Sequence, residues 1–203
     1  MESLDFTRRA DELAPAVLGS VLWRGQIGLR LTEVEAYLGP DDPASHAYRG
    51  PGGRAATMYG EPGRLYVYLS YGVHLAVNLV CSPAGQASAL LLRAGEVVAG
   101  EELARARRAS KRPGAAELPT ARLASGPGNL GRVLGLTRQD DGAPLGDEFL
   151  LQPTGEPVQV AHGPRVGISV AADWPLRFWI IGDPTVSPYR RGRTAIAGIH
   201  PQA

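Results

Sequence analysis

Cysteine and histidine are scarce in this sequence. Its 203 residues include one cysteine, Cys81, and four histidines, and no second histidine or cysteine lies at a metal-ligand spacing near His46. A disulfide framework and a cysteine-based metal site are therefore excluded. We expect a protein that holds no metal and needs no cofactor.

Long apolar runs are also missing. No stretch approaches the roughly 18–20 apolar residues that a transmembrane helix needs. The acidic residues 1–5 lack the basic and then apolar pattern of a secretory signal. We therefore expect a cytoplasmic protein with no membrane partner, and the length suits one fairly large domain. A monomer is the default expectation.

Lysine occurs only once, at Lys111, and every other basic residue apart from histidine is an arginine. The formal net charge is +1, but the basic residues are unevenly placed. Eight of them lie between residues 104 and 138, where the single acid is Glu117: Arg105, Arg107, Arg108, Lys111, Arg112, Arg122, Arg132 and Arg138. The tail after Asp183 has no acid and contains Arg190, Arg191 and Arg193. These tracts are compatible with a phosphate-facing surface. A solvated helix face and a disordered tail are equally compatible with them.

Hydrophobic periodicity and turn residues predict an α+β (mixed α/β) protein. We expect a single domain over residues 1–203, with a curved, mainly antiparallel sheet and flanking helices, and with residues 1–6 and 190–203 as candidates for disorder. The first helix should be broken by Pro15 and end before Gly19, and Ser125 should be the N-cap of the last helix. Helices are expected at 7–18, 97–108 and 125–134, and strands at 21–37 (including a hairpin at Arg24-Gly25), 65–70, 73–81, 89–94, 148–151, 165–170 and 177–181.

Residues 38–63 form a long segment rich in glycine, proline and aspartate, and this segment contains His46. Its composition predicts a loop. A loop of about 25 residues without its own secondary structure is unusual in a compact domain and more often functional than idle.

Polar and aromatic residues recur on the predicted strands. Glu33, Glu35 and Tyr37 share one face of a strand by its two-residue period, as do Tyr66 and Tyr68 on another. Tyr71, Asn78 and Arg93 lie on or beside the neighbouring strands. Such tyrosines could sandwich a flat ring such as a purine, since base–aromatic stacking is worth roughly 1–3 kcal/mol per base. Ordinary packing explains tyrosines on strands equally well.

Several of these residues allow more than one reading. Glu33 and Glu35 could form an acid–base pair with one raised pKa, or simply line a strand edge. Arg93 ends an apolar run, so it either pairs with a carboxylate or contacts a phosphate. The segment beginning at Ser125 could offer backbone N–H groups to a phosphate, or could be a plain capped helix.

Longer motifs favour one interpretation. The chain reads TEVEAYLGPDDPASH at residues 32–46 and GRLYVYLSYG at 63–72, followed by Asn78 and by LLLRA at 90–94. The shorter segments SGP, RVG and PLRF follow at 125–127, 165–167 and 175–178. In this order they resemble the alkyladenine (3-methyladenine) DNA glycosylase family of the mammalian type, over about residues 12–187. The first two blocks are specific, whereas the short segments would be weak alone.

The resemblance implies a role for each matching residue. Glu35 corresponds to the general base that activates water, and Arg93 to an arginine beside that water and the nucleotide backbone. Tyr37, His46, Tyr68 and Asn78 correspond to the pocket that holds the base. Tyr71 corresponds to the side chain that enters the duplex where the target nucleotide has left. Weaker expectations are DNA phosphate contacts from Ser125, Gly126 and Arg132.

The resemblance also implies a reaction on double-stranded DNA that contains damaged purines. The base would be flipped out and its N-glycosidic bond hydrolysed, leaving an abasic site. No lysine lies in the motif region, so a Schiff-base step is not expected and the enzyme should be monofunctional. Two other functions stay open, a non-catalytic nucleic-acid-binding module with a base-stacking pocket and a nucleoside hydrolase.

Overall fold

The apolar and alternating segments become β-strands in the computed structural model, which describes residues 4–70, 72–110, 114 and 117–192. The strands in this part of the chain are β1 (Val21–Arg24), β2 (Ile27–Tyr37), β3 (Leu65–Ser70), β4 (His74–Cys81), β5 (Ser88–Ala99), β6 (Phe149–Gln152), β7 (Val160–Gly163) and β8 (Arg177–Ile180). They form one curled sheet whose strand pairs are antiparallel. The α+β fold with a curved antiparallel sheet is thus confirmed.

Strand β2 is the centre of this sheet. The strand order is β3-β4-β5-β2-β1-β6, and β8 joins β2 to β7. One edge of β2 pairs with β5, so β1 and β8 share its other edge. The register between β2 and β5 shifts on both sides of Glu33. Such bulges bend a strand and re-aim its side chains, and these two shifts flank Glu33, one of the two acidic residues that the sequence singles out.

Three α-helices pack on the sheet and on one another in the described part of the chain. They are α1 (Ala10–Val17), α2 (Glu101–Ala109) and α3 (Pro127–Leu134). Helix α1 buries Leu13 and Val17 against the core and continues past Pro15, contrary to the predicted break. Proline has no N–H to donate to the backbone carbonyl four residues earlier. Because Pro15 is exposed, water can bind that carbonyl instead. Leu4 and Phe6, within the N-terminal candidate for disorder, pack against this core.

The structure corrects two predicted helix boundaries. Residues 97–99 extend β5 and do not begin a helix; α2 begins only after Gly100, whose φ of +74° ends the strand. The N-cap of α3 is Gly126 and not Ser125. Gly126 has φ +96° and ψ 144°, a conformation that residues with a side chain rarely adopt. Ser125 instead forms an isolated bridge with Ala94.

The predicted strand at 165–170 is also wrong. The strand that precedes β8 and pairs with it is β7, which lies a few residues before the predicted strand, at Val160–Gly163. In the segment after β7, the Arg165 side chain is fully buried and the Val166 N–H donates to a side chain. These groups contact the interior of the protein, and the segment does not continue the backbone hydrogen bonds of the sheet.

The long loop between β2 and β3 has its own internal support. It contains short 3₁₀ turns at Gly39–Asp41, His46–Arg49 and Gly53–Tyr59. A small apolar cluster that includes Ala47, Ala55 and Met58 anchors it against β3 and β4. The loop is therefore an ordered wall beside the sheet, although it has little regular secondary structure.

Among the residues that the structure describes, no helix has the length and apolar composition needed to cross a bilayer.

Candidate active site

A cavity of about 390 Å³ opens between the sheet and the loop that follows β2. Residues from β2, β3, β4, β5, this loop and the segment after β7 line it. Its size lies within the range of small-molecule binding pockets. Six of the residues singled out from the sequence line this cavity: Tyr37, His46, Tyr66, Tyr68, Asn78 and Arg93.

One wall of the cavity is aromatic. The rings of Tyr66 and Tyr68 stack with centroids 5.4 Å apart and an interplanar angle of 27°. His46 meets Tyr68 edge-on at 4.7 Å, and its Nδ1 shares a hydrogen bond of 2.8 Å with the Tyr66 hydroxyl. Burial lowers the pKa of His46, and the charge of the nearby Arg54 lowers it further. The imidazole is therefore neutral at neutral pH, so it adds no positive charge to the cavity.

The ring of Tyr37 forms part of another wall and is held from behind. The guanidinium carbon of Arg165 lies 4.6 Å from its ring centroid. Arg165 is fully buried and pairs with both carboxylate oxygens of Asp42, which also accepts the backbone N–H groups of Leu38 and Ala44. The sequence did not single out Asp42 or Arg165 as site residues. The only available signal was that both lie in segments that match the family.

Glu35 lies directly behind the cavity wall and does not line it. Its side chain is fully buried. Oε1 accepts the Val166 N–H at 2.7 Å, Oε2 accepts the Tyr37 hydroxyl at 3.0 Å, and Arg93 Nη1 lies 3.4 Å from Oε1. All three partners line the cavity. Burial raises the pKa of Glu35, and Arg93, Val166 and Tyr37 oppose that rise by stabilising the carboxylate.

In the structure Arg93 pairs with carboxylates, and a phosphate contact, the other possibility that the sequence left open, stays a prediction. Its Nε donates to Glu33 Oε1 at 2.8 Å, and its Nη2 donates to Ser187 Oγ at 3.1 Å. Burial lowers the pKa of the guanidinium, but Glu35 and Glu33 together raise it by more. Arg93 therefore carries a permanent positive charge at the cavity wall.

Asn78 is buried at the cavity with a fixed orientation. Its Nδ2 donates to the Tyr66 carbonyl oxygen at 3.0 Å. The hydrogen bond holds the amide beside the aromatic wall, as the sequence-based expectation of a pocket residue requires.

The expected phosphate contacts are not gathered at the cavity. Ser125 and Gly126 do not line it, although the next residue, Pro127, does. Arg132 Nη2 lies 3.3 Å from His74 Nδ1, on another part of the surface. Tyr71, the expected intercalating residue, lies outside the described residues.

Much of the basic tract at 104–138 turns inward. Arg105 donates to the Leu118 carbonyl, Arg107 donates to the Val133 carbonyl, and Arg108 donates to Asn129. These arginines bind α2 to its surroundings, which the charge pattern alone could not show. Lys111 and Arg112 lie outside the described residues.

Within residues 4–70, 72–110, 114 and 117–192, no group of three or more histidine, cysteine, aspartate or glutamate side chains is arranged to hold a metal ion. Cys81 is buried, and burial raises the pKa of its thiol.

Comparison with known proteins agrees with the motifs. A family model described as methylpurine-DNA glycosylase (MPG) matches residues 4–184. A protein of Cutibacterium acnes is 51% identical over 193 residues, which cover 91% of this chain and 97% of its own. A protein of Corynebacterium efficiens is 50% identical over 191 residues, covering 94% and 96%, and one of Streptomyces avermitilis is 50% identical over 197 residues, covering 91% and 89%. Each of the three is named "Putative 3-methyladenine DNA glycosylase". The chain belongs to the methylpurine-DNA glycosylase family.

Proposed function

We propose that this protein is a DNA repair glycosylase that removes alkylated or deaminated purines from double-stranded DNA and leaves an abasic site. The lesion class would include 3-methyladenine, 7-methylguanine, hypoxanthine and ethenoadenine. One observation carries the proposal: a buried carboxylate, Glu35, is held by three groups that line an aromatic cavity, namely Tyr37, Arg93 and the Val166 N–H. The family and the names of its bacterial relatives support it.

The cavity suits a base that has left the helical stack. An enzyme that acts on a base in a duplex has to extrude it, at a cost of a few kcal/mol. The rings of Tyr37, Tyr68 and His46 line the cavity and would offer stacking surfaces that offset this cost. A purine that carries a positive charge from alkylation gains further, because aromatic faces attract cations. Asn78 would exclude normal guanine by crowding its amino group.

Glu35 supplies the chemistry. The bond between the sugar C1′ and the base nitrogen breaks, and its electron pair leaves with the base. The sugar then carries cationic character, which a carboxylate stabilises. A water oxygen bonds to C1′ while Glu35 takes its proton. A positively charged alkylated purine leaves as a neutral base, whereas a neutral lesion also needs a proton from an ordered group or from water.

The attacking water has to reach Glu35 through the cavity wall. We place it where Tyr37, Arg93 and Val166 meet, because these three residues separate Glu35 from the cavity. Arg93 would keep the carboxylate ionised and hold the backbone of the flipped nucleotide nearby.

The remaining assignments follow from the same proposal. Tyr71 would fill the space that the flipped nucleotide leaves, and Ser125, Gly126 and Arg132 would contact phosphates. None of the matching motifs contains a lysine, so a monofunctional hydrolytic reaction is favoured over a Schiff-base lyase. We also propose a cytoplasmic monomer. The similarity to the mammalian type stays a prediction, since the relatives described above are bacterial.

The direct experiment is base release. The purified protein is incubated with duplex DNA treated with a methylating agent, and free bases are separated by chromatography. We expect free 3-methyladenine and 7-methylguanine, and no release from untreated DNA or from free nucleosides. Binding to methylated DNA without release would favour the non-catalytic module, and hydrolysis of free nucleosides would favour a nucleoside hydrolase.

A further inference from the structure

We propose that Glu33 is a positioning residue that holds Arg93 back from Glu35 and so leaves Glu35 free to accept a proton. The inference rests on the proposed glycosylase reaction and concerns the second carboxylate of the site, which has no assigned role. Glu33 does not line the cavity, so it acts through Arg93 and does not contact the substrate.

Glu33 is one of the most completely bonded side chains in the described structure. It is fully buried and pairs with two arginines, Arg93 at 2.8 Å and Arg177 at 2.7 Å, both through Oε1. Ser187 donates its backbone N–H to Oε2 at 2.6 Å and its hydroxyl to Oε1 at 2.9 Å. One cation is enough to compensate the charge of a buried carboxylate. The pairing of Glu33 with two arginines therefore also fixes the positions of these side chains.

The same bonds fix the direction of the Arg93 guanidinium. Its Nε is committed to Glu33 and its Nη2 to Ser187 Oγ, at 2.8 and 3.1 Å. Only Nη1 faces Glu35, and it stays 3.4 Å from Oε1, which is longer than a strong charge-assisted hydrogen bond. Arg93 therefore stabilises the Glu35 carboxylate without a close two-point pairing that would compete with water.

Ser187 completes this arrangement from a part of the chain that the family model does not cover. The model match ends at residue 184, whereas Ser187 is buried against Glu33, Arg93 and Arg177. Arg177 is itself held by the Ser187 carbonyl, which accepts its Nη2 at 2.7 Å. The segment after β8 is thus part of the site.

The groups around Glu35 determine how the loss of Glu33 should change the pH dependence of the reaction. Glu33 and Tyr37 face Glu35 from its own strand, and Arg93 faces it from β5. The Val166 N–H faces it from the segment after β7. Arg177 of β8 acts on Glu35 only through its pair with Glu33. The negative charge of Glu33 raises the pKa of Glu35. Its removal lowers that pKa directly and also frees Arg93 to pair closely with Glu35, so both effects act in one direction.

The test is the variant Glu33→Gln, which keeps the size of the side chain and removes its charge. Single-turnover release of methylated bases is measured as a function of pH with methylated duplex DNA. We expect the acidic limb of the rate profile to move to lower pH. We also expect the rate on the plateau to fall about tenfold or more, because a more tightly paired carboxylate is a weaker base. An unmoved limb, or a limb at higher pH, overturns the proposal.

Two further variants separate positioning from stability. Asp140→Asn removes another buried carboxylate that pairs with an arginine, Arg24, outside the cavity, so it should lower thermal stability and leave the acidic limb in place. Ser187→Ala keeps every charge and removes one anchor of Arg93, so it should move the limb in the same direction as Glu33→Gln but by less. If Glu33→Gln does not fold, Ser187→Ala decides the matter, and an unmoved limb there rejects the proposal. Absence of base release by the wild-type protein would instead reject the proposed function itself.

Discussion

At the scale of single residues, the Tyr37 hydroxyl is one of the groups that lower the pKa of Glu35. Its hydrogen bond of 3.0 Å to Oε2 lowers the pKa of Glu35 against the larger effect of burial, which raises it. In the variant Tyr37→Phe that pKa should rise further, so the acidic limb of the excision rate should move to higher pH. Binding of damaged DNA should persist, since the ring still stacks on Arg165.

A matched control for this change is Tyr59→Phe. The Tyr59 hydroxyl donates to the Ala47 carbonyl at 3.0 Å, and Tyr59 does not line the cavity. Its loss should leave the acidic limb where it is. A limb that stays fixed in Tyr37→Phe, or that moves equally in both variants, would show that the hydroxyl does not tune Glu35.

The sequence predicted much of this site and missed its supports. Strand parity and the family motifs named Tyr37, His46, Tyr68, Asn78 and Arg93, and the structure gathers all five at one cavity. Their functional roles stay predictions. The choice of partner for Arg93 could not be predicted, because Ser187 lies 94 residues away along the chain. A single sequence carries no information about which distant side chains meet.

At the scale of elements, the loop after β2 is fastened to the segment after β7 by one buried ion pair. Asp42 and Arg165 both have fully buried side chains. Asp42→Asn leaves the charge of Arg165 uncompensated, and breaking a buried pair in this way typically costs about 3–5 kcal/mol. We expect urea denaturation to show a loss of that order in the free energy of unfolding.

An exposed pair offers the comparison for this element. Asp173 and Arg191 lie 3.3 Å apart with side chains 77% and 65% exposed, and such surface pairs contribute little. Asp173→Asn should therefore leave the free energy of unfolding nearly unchanged. Equal effects of the two substitutions would mean that the buried pair does not fasten the loop.

The boundaries of the helices and strands could be predicted from the sequence only in part. Strand β3 was predicted with the bounds that the structure has, because it is rich in tyrosine and aliphatic residues and Tyr71-Gly72 follows it. Residues 97–99 were placed in a helix, since a short apolar run fits either period. The left-handed Gly100 decides between the two. The segment at 165–170 was predicted as a strand, but its Arg165 pairs with Asp42 and its Val166 N–H donates to Glu35.

At the scale of the whole molecule, charge on the surface should govern DNA affinity. Phosphate contacts make the logarithm of the binding constant fall linearly with the logarithm of salt concentration. Arg138 is exposed near β3, whereas Arg107 donates to the Val133 carbonyl at 2.7 Å. If Arg138 contacts a phosphate, Arg138→Gln should reduce the salt slope by about 1.

Arg107→Gln should behave in the opposite way. It should lower stability by about 1–3 kcal/mol through the lost charged hydrogen bond and leave the salt slope unchanged. Binding titrations at several salt concentrations, with a thermal melt of each variant, compare the two. A reduced slope for Arg107→Gln would show that the tract faces DNA more fully than its internal contacts suggest.

The central claim is that Glu35 is the base that activates water, and the variant Glu35→Gln tests it most directly. Single-turnover release of methylated bases and the affinity for the same DNA are measured together, with Glu96→Gln as the control because Glu96 pairs with Arg30 outside the cavity. We expect excision by Glu35→Gln to fall by about 10²–10⁴-fold while its DNA affinity stays close to that of the wild type. A near-normal excision rate for Glu35→Gln would contradict the account.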